Sequence, residues 1–592
     1  SQITRVKSQE SNYKITKLQN MSGKLSLSVQ GEIQCGLEGF ELLNSPIFNK
    51  GSAFTEEERD IFKLNGLLPP HVDDLEKQIE RAYKQLHDLR DPLRKNDFMT
   101  SMRQQNKTLY YALVNRHISE LVPIIYTPTE GDAIANYSNR FRRPEGVFLD
   151  ITQPDTILDR MSKFGNDSDI DYIVVTDSEG ILGIGDQGVG GIRISLAKLA
   201  LMTLCGGIHP GRGLAVCLDV GTNNETLATD ELYMGNRFAR VRGKQYDDFV
   251  EKFINVLKEH YPSSVLHFED FGVTNARPIL EKYKSQLACF NDDIQGTGAV
   301  VMSSFLAALK HTSRDLKTAK VLIYGAGSAG LGIADQIVNH MVNHGLTKEQ
   351  ARNNIYAMDR HGLILDSMGD VSYEAQMFYS KKDEDFKDIN TKSLVEVVGQ
   401  VKPTCMIGCS TQKGAFTEQV IREMYKHNDK PIIFPLSNPT RLVEAVPEDL
   451  LKWTDFNALV ATGSPFQPVE GYNIAQNNNC FSFPGIGLGA VVCKASTISD
   501  TMISAAVDQL ADLAPINNGD PKSGLLPSLD LINELSSKIA AAVVLQAVKE
   551  GVAQRKDIPL RFEDTLKWVE SQMWRPVYRP MKKTLGKYTH QI

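Results

Sequence analysis

A chain of 592 residues is too long for one hydrophobic core of ordinary size, so two to four structural domains are expected. Hydrophobic content of 42% and charged content of 23% exclude a disordered or fibrous chain. The 65 basic and 72 acidic residues leave a net charge of −7, and no basic face interleaved with aromatics stands out, so no nucleic-acid partner is expected.

Taken in chain order, the first 25 residues are mildly basic and Ser-rich and read as a frayed terminus. Helical spacing in EEERDIFKLNGLL and DLEKQIERAYKQL, punctuated by Pro69 and Pro70, predicts helices over 55–120. From about 145, short β-rich runs ending in turns, DYIVVTDSEG and GLAVCLDVGT, alternate with helical text, which predicts a mainly parallel α/β sheet. A second α/β unit begins near 292 with KVLIYGAGSAG and continues through IYAMDR, CMIGCS, PIIFPLSNPT and ALVATGSP. Strands that end in Gly, Ser, Asn or Asp fit a doubly wound sheet with its ligand crevice at the carboxyl ends. A helical tail follows residue 500. No apolar run reaches about eighteen residues and no signal-peptide core is present, so no membrane partner is expected. Eight cysteines form no disulfide framework; Cys405 and Cys409 read as small apolar strand residues, and the compartment expected is a reducing one, cytosol or mitochondrial matrix.

Three constellations carry chemistry. Gly325, Gly327 and Gly330 in GAGSAG stand between a strand, KVLIY, and a helix, LGIADQIVNHMV. The first allows a tight turn and the second lets the backbone approach a pyrophosphate, while Ser328 and Ala329 open a helix whose unpaired N–H groups attract phosphate. Asp359, ending the next strand, is placed to hold a ribose hydroxyl pair, and the adjacent Arg360 could accept a 2′-phosphate, so NAD is expected with NADP tolerance. The second constellation is acidic: Glu269 and Asp270 in HFEDF, Asp292 and Asp293 in FNDDIQGTG. Four carboxylates in one cleft repel unless a cation neutralises them, and all-oxygen ligands suit Mg²⁺ or Mn²⁺. Third, Lys198 lies in the apolar helical text IRISLAKLALMTL, where it either snorkels to solvent or, buried beside a cation, loses its proton readily and acts as a base. Tyr126 in LVPIIYTPTEGDA is read as ending an apolar strand, with a side chain directed into a crevice or into the core.

YTPTEGDA, ILGIGDQGVGG, LDVGTNNE, FEDF, FNDDIQGTG, GAGSAG, PLSNPT and ATGSPF together resemble the malic enzyme family, in that order, from about residue 35 to the end. The QMWRPVYRPM ending resembles fungal mitochondrial members, which implies the mitochondrial matrix, with the cytoplasm as the alternative. The resemblance implies an α/β protein of four parts. These are a helical N-terminal domain (1–144), a split α/β domain (145–291 and 479–550), an inserted Rossmann-type NAD(P)-binding domain (292–478) and a small C-terminal extension (551–592). It implies L-malate as substrate, pyruvate as product and a homodimer or homotetramer. Residue by residue it implies Glu269, Asp270 and Asp293 as metal ligands, Asp292 as the carboxylate tuning the catalytic Lys198, and Tyr126 as proton donor. Asn438 in PLSNPT and Asn478 in AQNNNC would contact the malate carboxylate and the nicotinamide end.

The chain departs from the family pattern at two places. Many members have an arginine where this chain has Gly180, and that guanidinium clamps a malate carboxylate. Arg193 stands where many have glycine, so the charge is expected to have moved there. An effector-site arginine of fumarate-activated members corresponds to Gln105, although Arg59 is retained, so fumarate activation is not expected. The competing readings are a malolactic enzyme, which also lacks arginine at Gly180 and makes lactate with retained cofactor, and a nucleotide-sensing protein without turnover. Arg193, Lys198, Tyr126 and the four carboxylates favour the oxidative enzyme.

Overall fold

The computed structural model describes residues 31–584 apart from Tyr373 and Pro439, and the expected frayed terminus over the first 25 lies outside the described residues. The chain enters through a short strand, β1 (Ile33–Cys35), and then a helical region. Local chemistry sets its boundaries. Asp74 caps Leu75–His87 by accepting from the Lys77 N–H, and Asp91 caps Pro92–Gln105, with proline at the first helical position. In Leu75–His87 the residues Ile79, Ala82 and Leu86 fall on one face and are buried. Helices Lys107–Arg116, Ile118–Ile125 and Thr129–Ala135 belong to the same layer.

A five-stranded sheet follows: β2 (Val147–Asp150), β3 (Tyr172–Thr176), β4 (Gly213–Asp219), β5 (Val265–Phe268) and β6 (Cys289–Asn291), in the order β2-β4-β3-β5-β6. Every pairing is parallel. Helices cover both faces, so β3 and β5 are buried at every position, which is why they read as continuous apolar runs. Helix Ile192–Gly206 packs on β3 and β4 and ends at Gly207, whose φ of +64° closes it.

The second sheet holds β7 (Val321–Tyr324), β8 (Ile355–Asp359), β9 (Gly362–Leu363), β10 (Cys405–Gly408), β11 (Ile432–Pro435), β12 (Leu459–Thr462) and β13 (Ala475–Gln476), in the order β13-β12-β11-β10-β7-β8-β9. All neighbours are parallel except β8 with β9. The chain builds outward from β7 through β8, then returns to β10 on the other side. The carboxyl ends of β7 and β10 therefore bound the crevice where strand order reverses.

After β13 the chain returns to the first sheet. Helix Phe483–Cys493 packs against Ile192–Gly206 and against Ile532–Glu550, which also contacts Asp500–Asp512 and Phe562–Glu570. Last, β14 (Met581–Lys583) pairs parallel with β1, so both ends of the described chain share one small sheet. The stretches Gly188–Gly206 and Leu529–Glu550 are long and apolar enough to cross a membrane, but 83% and 56% of their apolar windows are buried inside the fold, as in core helices. All eight cysteines are free thiols.

Candidate active site

Four elements converge at the carboxyl edge of the first sheet. Strand β5 ends at Phe268 and delivers Glu269 and Asp270; β6 ends at Asn291 and delivers Asp292 and Asp293; helix Ile192–Gly206 supplies Lys198; and helix Ile118–Ile125 supplies Tyr126 at its C-cap. The segment Asp292–Gly296 is a single π-helical turn, an arrangement that often marks functional sites. It folds the Asp292 carboxylate back over Gly296, where a Cβ would lie 1.9 Å from Asp292 Oδ1, so any side chain there would displace that carboxylate.

Lys198 is 1% exposed and does not snorkel. Its Nζ lies 2.5 Å from Asp292 Oδ2 and 3.0 Å from Glu269 Oε1, with the Phe483 and Tyr126 ring centres at 4.9 and 5.2 Å. One oxygen from each of Glu269, Asp270 and Asp293 falls within 4.8 Å of the others. Asp293 Oδ2 accepts from the Asp270 N–H at 2.7 Å, and Asp270 Oδ2 accepts from the Leu182 N–H at 3.1 Å. Asp270 takes a left-handed backbone conformation, φ +52°, unusual for a residue with a side chain and consistent with a strained functional turn.

Charge explains the arrangement. Burial, reinforced by the neighbouring carboxylate charges, pushes Glu269 up to about 8, Asp293 up to about 7 and Asp270 well above the usual range. Burial acts the same way on Asp292, but the Lys198 ammonium outweighs it and holds Asp292 below its ordinary value. Lys198 is itself desolvated, yet the Asp292 and Glu269 charges raise it well above an ordinary lysine. An all-oxygen donor set this crowded fits a hard divalent cation, which would relieve the repulsion and compete with Lys198 for Glu269.

Residue-type patterns alone missed several members of the cluster. His267 Nε2 lies 2.6 Å from Glu269 Oε2 and its Nδ1 lies 2.9 Å from the Tyr172 hydroxyl. Burial lowers His267 to about 4, so the ring is neutral and locks the Glu269 carboxylate in place. The two-residue spacing in HFE, which puts both side chains on one face of a strand, was the available signal. Asn479 Nδ2 donates to Asp292 Oδ2 at 3.0 Å. Of the asparagine run, the predicted Asn478 instead uses its side chain to cap the next turn, accepting from the Cys480 N–H at 3.0 Å.

The glycine turn lies at the crevice of the second sheet. Gly325 has φ +109°, and a Cβ there would sit 2.4 Å from the Cys409 carbonyl carbon beyond β10. Gly330 lies against the Gly325 carbonyl at 2.1 Å from its would-be Cβ, whereas a Cβ on Gly327 meets nothing within 4 Å. The middle glycine thus faces open space at the start of Ser328–Asn343, which fits a pyrophosphate. Asp359 ends β8; its Oδ2 accepts from Gln376 Nε2, which also donates to the Ala326 carbonyl and so ties the acid to the turn. Arg360 is exposed, its Nε directed at His361 Nε2. Asn438 is exposed and accepts from the Ser464 hydroxyl.

A family model described as "Malic enzyme, N-terminal domain" matches residues 103–284, and one described as "Malic enzyme, NAD binding domain" matches 294–548. The chain is 67% identical over 570 residues to "NAD-dependent malic enzyme, mitochondrial" of Saccharomyces cerevisiae, covering 94% of this chain and 85% of that one. It is 47% identical to "NAD-dependent malic enzyme" of Schizosaccharomyces pombe, covering 93% and 98%. The chain belongs to the malic enzyme family. A solved malic enzyme from Entamoeba histolytica shares the fold at 21% identity, with a TM-score of 0.52 and coverage of 87% and 91%.

Two expectations, one from the apolar run before Tyr126 and one from the malic enzyme pattern, meet a different structure. Tyr126 ends a helix and not a strand: Pro123 lies inside the helix, and the apolar run LVPII is a short buried helix whose length cannot distinguish it from a strand in sequence. Arg193 does not stand in for the arginine absent at Gly180. Five residues along a helix is a rotation of about 140°, so Arg193 faces away from Lys198. Its Nε donates to Glu130 Oε1 at 2.7 Å and its Nη2 to Asn96 Oδ1 at 2.9 Å, in a cleft shared with Asp97 and Arg140. Gly180 lies against the Phe271 carbonyl, 2.9 Å from where a Cβ would be, so a side chain there requires backbone movement. Arg59, retained from the effector pattern, is buried and donates to the carbonyls of Phe54, Ser52, Pro69, Pro70 and His71.

Proposed function

We propose that Lys198, Asp292 and Tyr126 carry the proton traffic of the reaction this chain catalyses, the oxidative decarboxylation of L-malate to pyruvate with NAD as hydride acceptor. The single observation that supports this assignment is the convergence of a buried amine, two carboxylates on it, and a three-carboxylate group beside it. Glu269, Asp270 and Asp293 would hold Mg²⁺ or Mn²⁺, which when bound supplies Lewis-acid stabilisation of negative charge on the substrate oxygens. With Glu269 so engaged, one of the attractions that keep Lys198 protonated is weakened, and more of the amine is unprotonated and able to accept the malate hydroxyl proton as hydride leaves C2. Asp292, steadied by Asn479, keeps the amine aimed and stabilises the ammonium that forms. Burial holds the Tyr126 hydroxyl well above its ordinary value, so it stays an O–H and can give a proton to carbon after carbon dioxide departs.

NAD would lie with its pyrophosphate over Gly327 and its adenosine ribose on Asp359. The Asp359 carboxylate, fixed by Gln376, would repel a 2′-phosphate, which favours NAD, while Arg360 beside it allows some NADP use. Asn438 and Asn478 would line the malate and nicotinamide side. The mitochondrial matrix as compartment, supported by the Saccharomyces relative, and a homodimer or homotetramer belong to the same reading.

The test is the initial rate with malate and Mn²⁺ and either NAD or NADP, with products quantified. NADH and pyruvate in equal amounts, activity abolished by a chelator and restored by Mn²⁺, and a preference for NAD are expected. Lactate without free NADH would indicate the malolactic reaction, and turnover indifferent to chelation would overturn the metal assignment.

A further inference from the structure

Far from the lysine cluster in sequence, a second group of ligand-type side chains gathers where the helix that begins at the glycine turn ends. His340 lies in the last turn of Ser328–Asn343, His344 is its C-cap, and Asp508 comes from Asp500–Asp512 packed alongside. A spacing of four places both imidazoles on one helix face, and their ring centres are 4.6 Å apart. One ligand atom from each of the three residues lies within 4.8 Å of the others, and His340 Nε2 lies 3.2 Å from Asp508 Oδ1.

Two independent features point to a ligand. His340 is fully buried, yet neither ring nitrogen makes a hydrogen bond, because the Asp508 contact lies off the N–H direction. Buried polar atoms ordinarily find partners, so an imidazole left without one asks for another explanation. His344 Nδ1 lies 2.8 Å from the His340 carbonyl oxygen. A carbonyl only accepts, so the proton is on Nδ1 and the Nε2 lone pair is free, the tautomer and backbone support found in metal-binding histidines.

We propose that His340, His344 and Asp508 bind a transition-metal cation of the Zn²⁺ type, which fastens the end of the dinucleotide-domain helix to helix Asp500–Asp512. Two imidazoles and one carboxylate suit Zn²⁺ or Co²⁺ and not Mg²⁺, and three protein ligands leave a fourth position for water. Donors around tetrahedral zinc stand about 3.4 Å apart, so modest rotation of the exposed His344 and half-buried Asp508 completes the shell. The helices already meet through Asn343 Nδ2, which donates to Ser504 Oγ at 2.8 Å. The site is chemically separate from the all-oxygen cluster and does not depend on the malate chemistry.

The experiment uses the full chain, stripped of metal and held in excess Mg²⁺, titrated with Co²⁺ alone. One Co²⁺ per chain with the strong visible absorption of a four-coordinate ion is expected, lost in both His344→Ala and Asp508→Asn. Zn²⁺ should raise the Tm of the wild-type chain by a few degrees and leave His344→Ala unchanged, since only a ligand bound to the folded state stabilises it. His344 is exposed, so that variant should fold and keep its Mg²⁺-supported kcat. Absorption equal in wild type and His344→Ala, a sulfur-to-cobalt charge-transfer band, or no Co²⁺ uptake by the wild-type chain would each overturn the proposal.

Discussion

The lysine cluster and the glycine turn solve opposite problems. At Lys198 the structure buries ionisable side chains against one another, and their charges set the site's properties. At the glycine turn the structure keeps side chains out: a Cβ on Gly325 or Gly330 would strike backbone, and one on Gly327 would enter the open space proposed for the pyrophosphate. The contrast teaches where each region is fragile: the first to loss of a charge, the second to gain of a methyl group.

The largest expected effect tests the first half. Lys198→Ala should lower kcat by about 10³-fold, within the range general acid–base groups contribute, while leaving the KM for NAD near its original value. A parallel loss in NAD binding, read by fluorescence titration, would join the two regions that the contrast separates. Next, Arg193→Ala should leave the malate KM unchanged but cost about 2 kcal/mol of stability in denaturant unfolding, because Glu130 is left buried with one donor. A raised malate KM with unchanged stability would restore Arg193 to the substrate. Gly327→Ala should leave the Tm unchanged, since the methyl meets no protein atom, and raise the KM for NAD roughly tenfold, equivalent to ~1.4 kcal/mol. A large fall in Tm would show that the turn is packed and not open.

The smallest effect concerns pH. Glu269 and Asp293 are raised to about 8 and 7 above their ordinary 4.5 and 3.8, so in the metal-free protein their favourable contribution is present at low pH and fades as pH rises through those values. His267, lowered to about 4 from 6.5, works in the other direction, but most of its contribution is gained by pH 6.5 and the remainder, as the unfolded imidazole finishes titrating, is small beside that of the two carboxylates. Between pH 6.5 and 8, then, the metal-free Tm should fall by a few degrees, and Mg²⁺ should raise it more at pH 8 than at 6.5. Differential scanning calorimetry at the two pH values decides this, and an equal Mg²⁺ effect at both would remove the carboxylates from the ion's shell.

How much of this was legible in the sequence follows from the same contrast. The two parallel sheets were readable because strands buried on both faces must be continuously apolar, and the glycine turn because its three residues stand between a strand and a helix. The acidic quartet was visible as residue types, and His267 was within reach through its two-residue spacing from Glu269, but Tyr172 and Asn479 come from separate segments that only the tertiary fold brings to His267 and Asp292. Tyr126 misled because a five-residue apolar run suits helix and strand alike. The setting of Arg193 is not legible from family position alone, because helical phase turns it from Lys198 and the carboxylate it meets, Glu130, lies 63 residues earlier.

The pairing of β1 with β14 has a consequence for biosynthesis. Met581 donates its N–H to the buried Glu58, a residue 523 positions earlier that also holds Lys50. The segment around Glu58, emerging from the ribosome, must therefore wait for the synthesis of 523 further residues before its own interior closes. Removal of the last dozen described residues would consequently be felt as increased protease sensitivity around Glu58, before any change at Lys198.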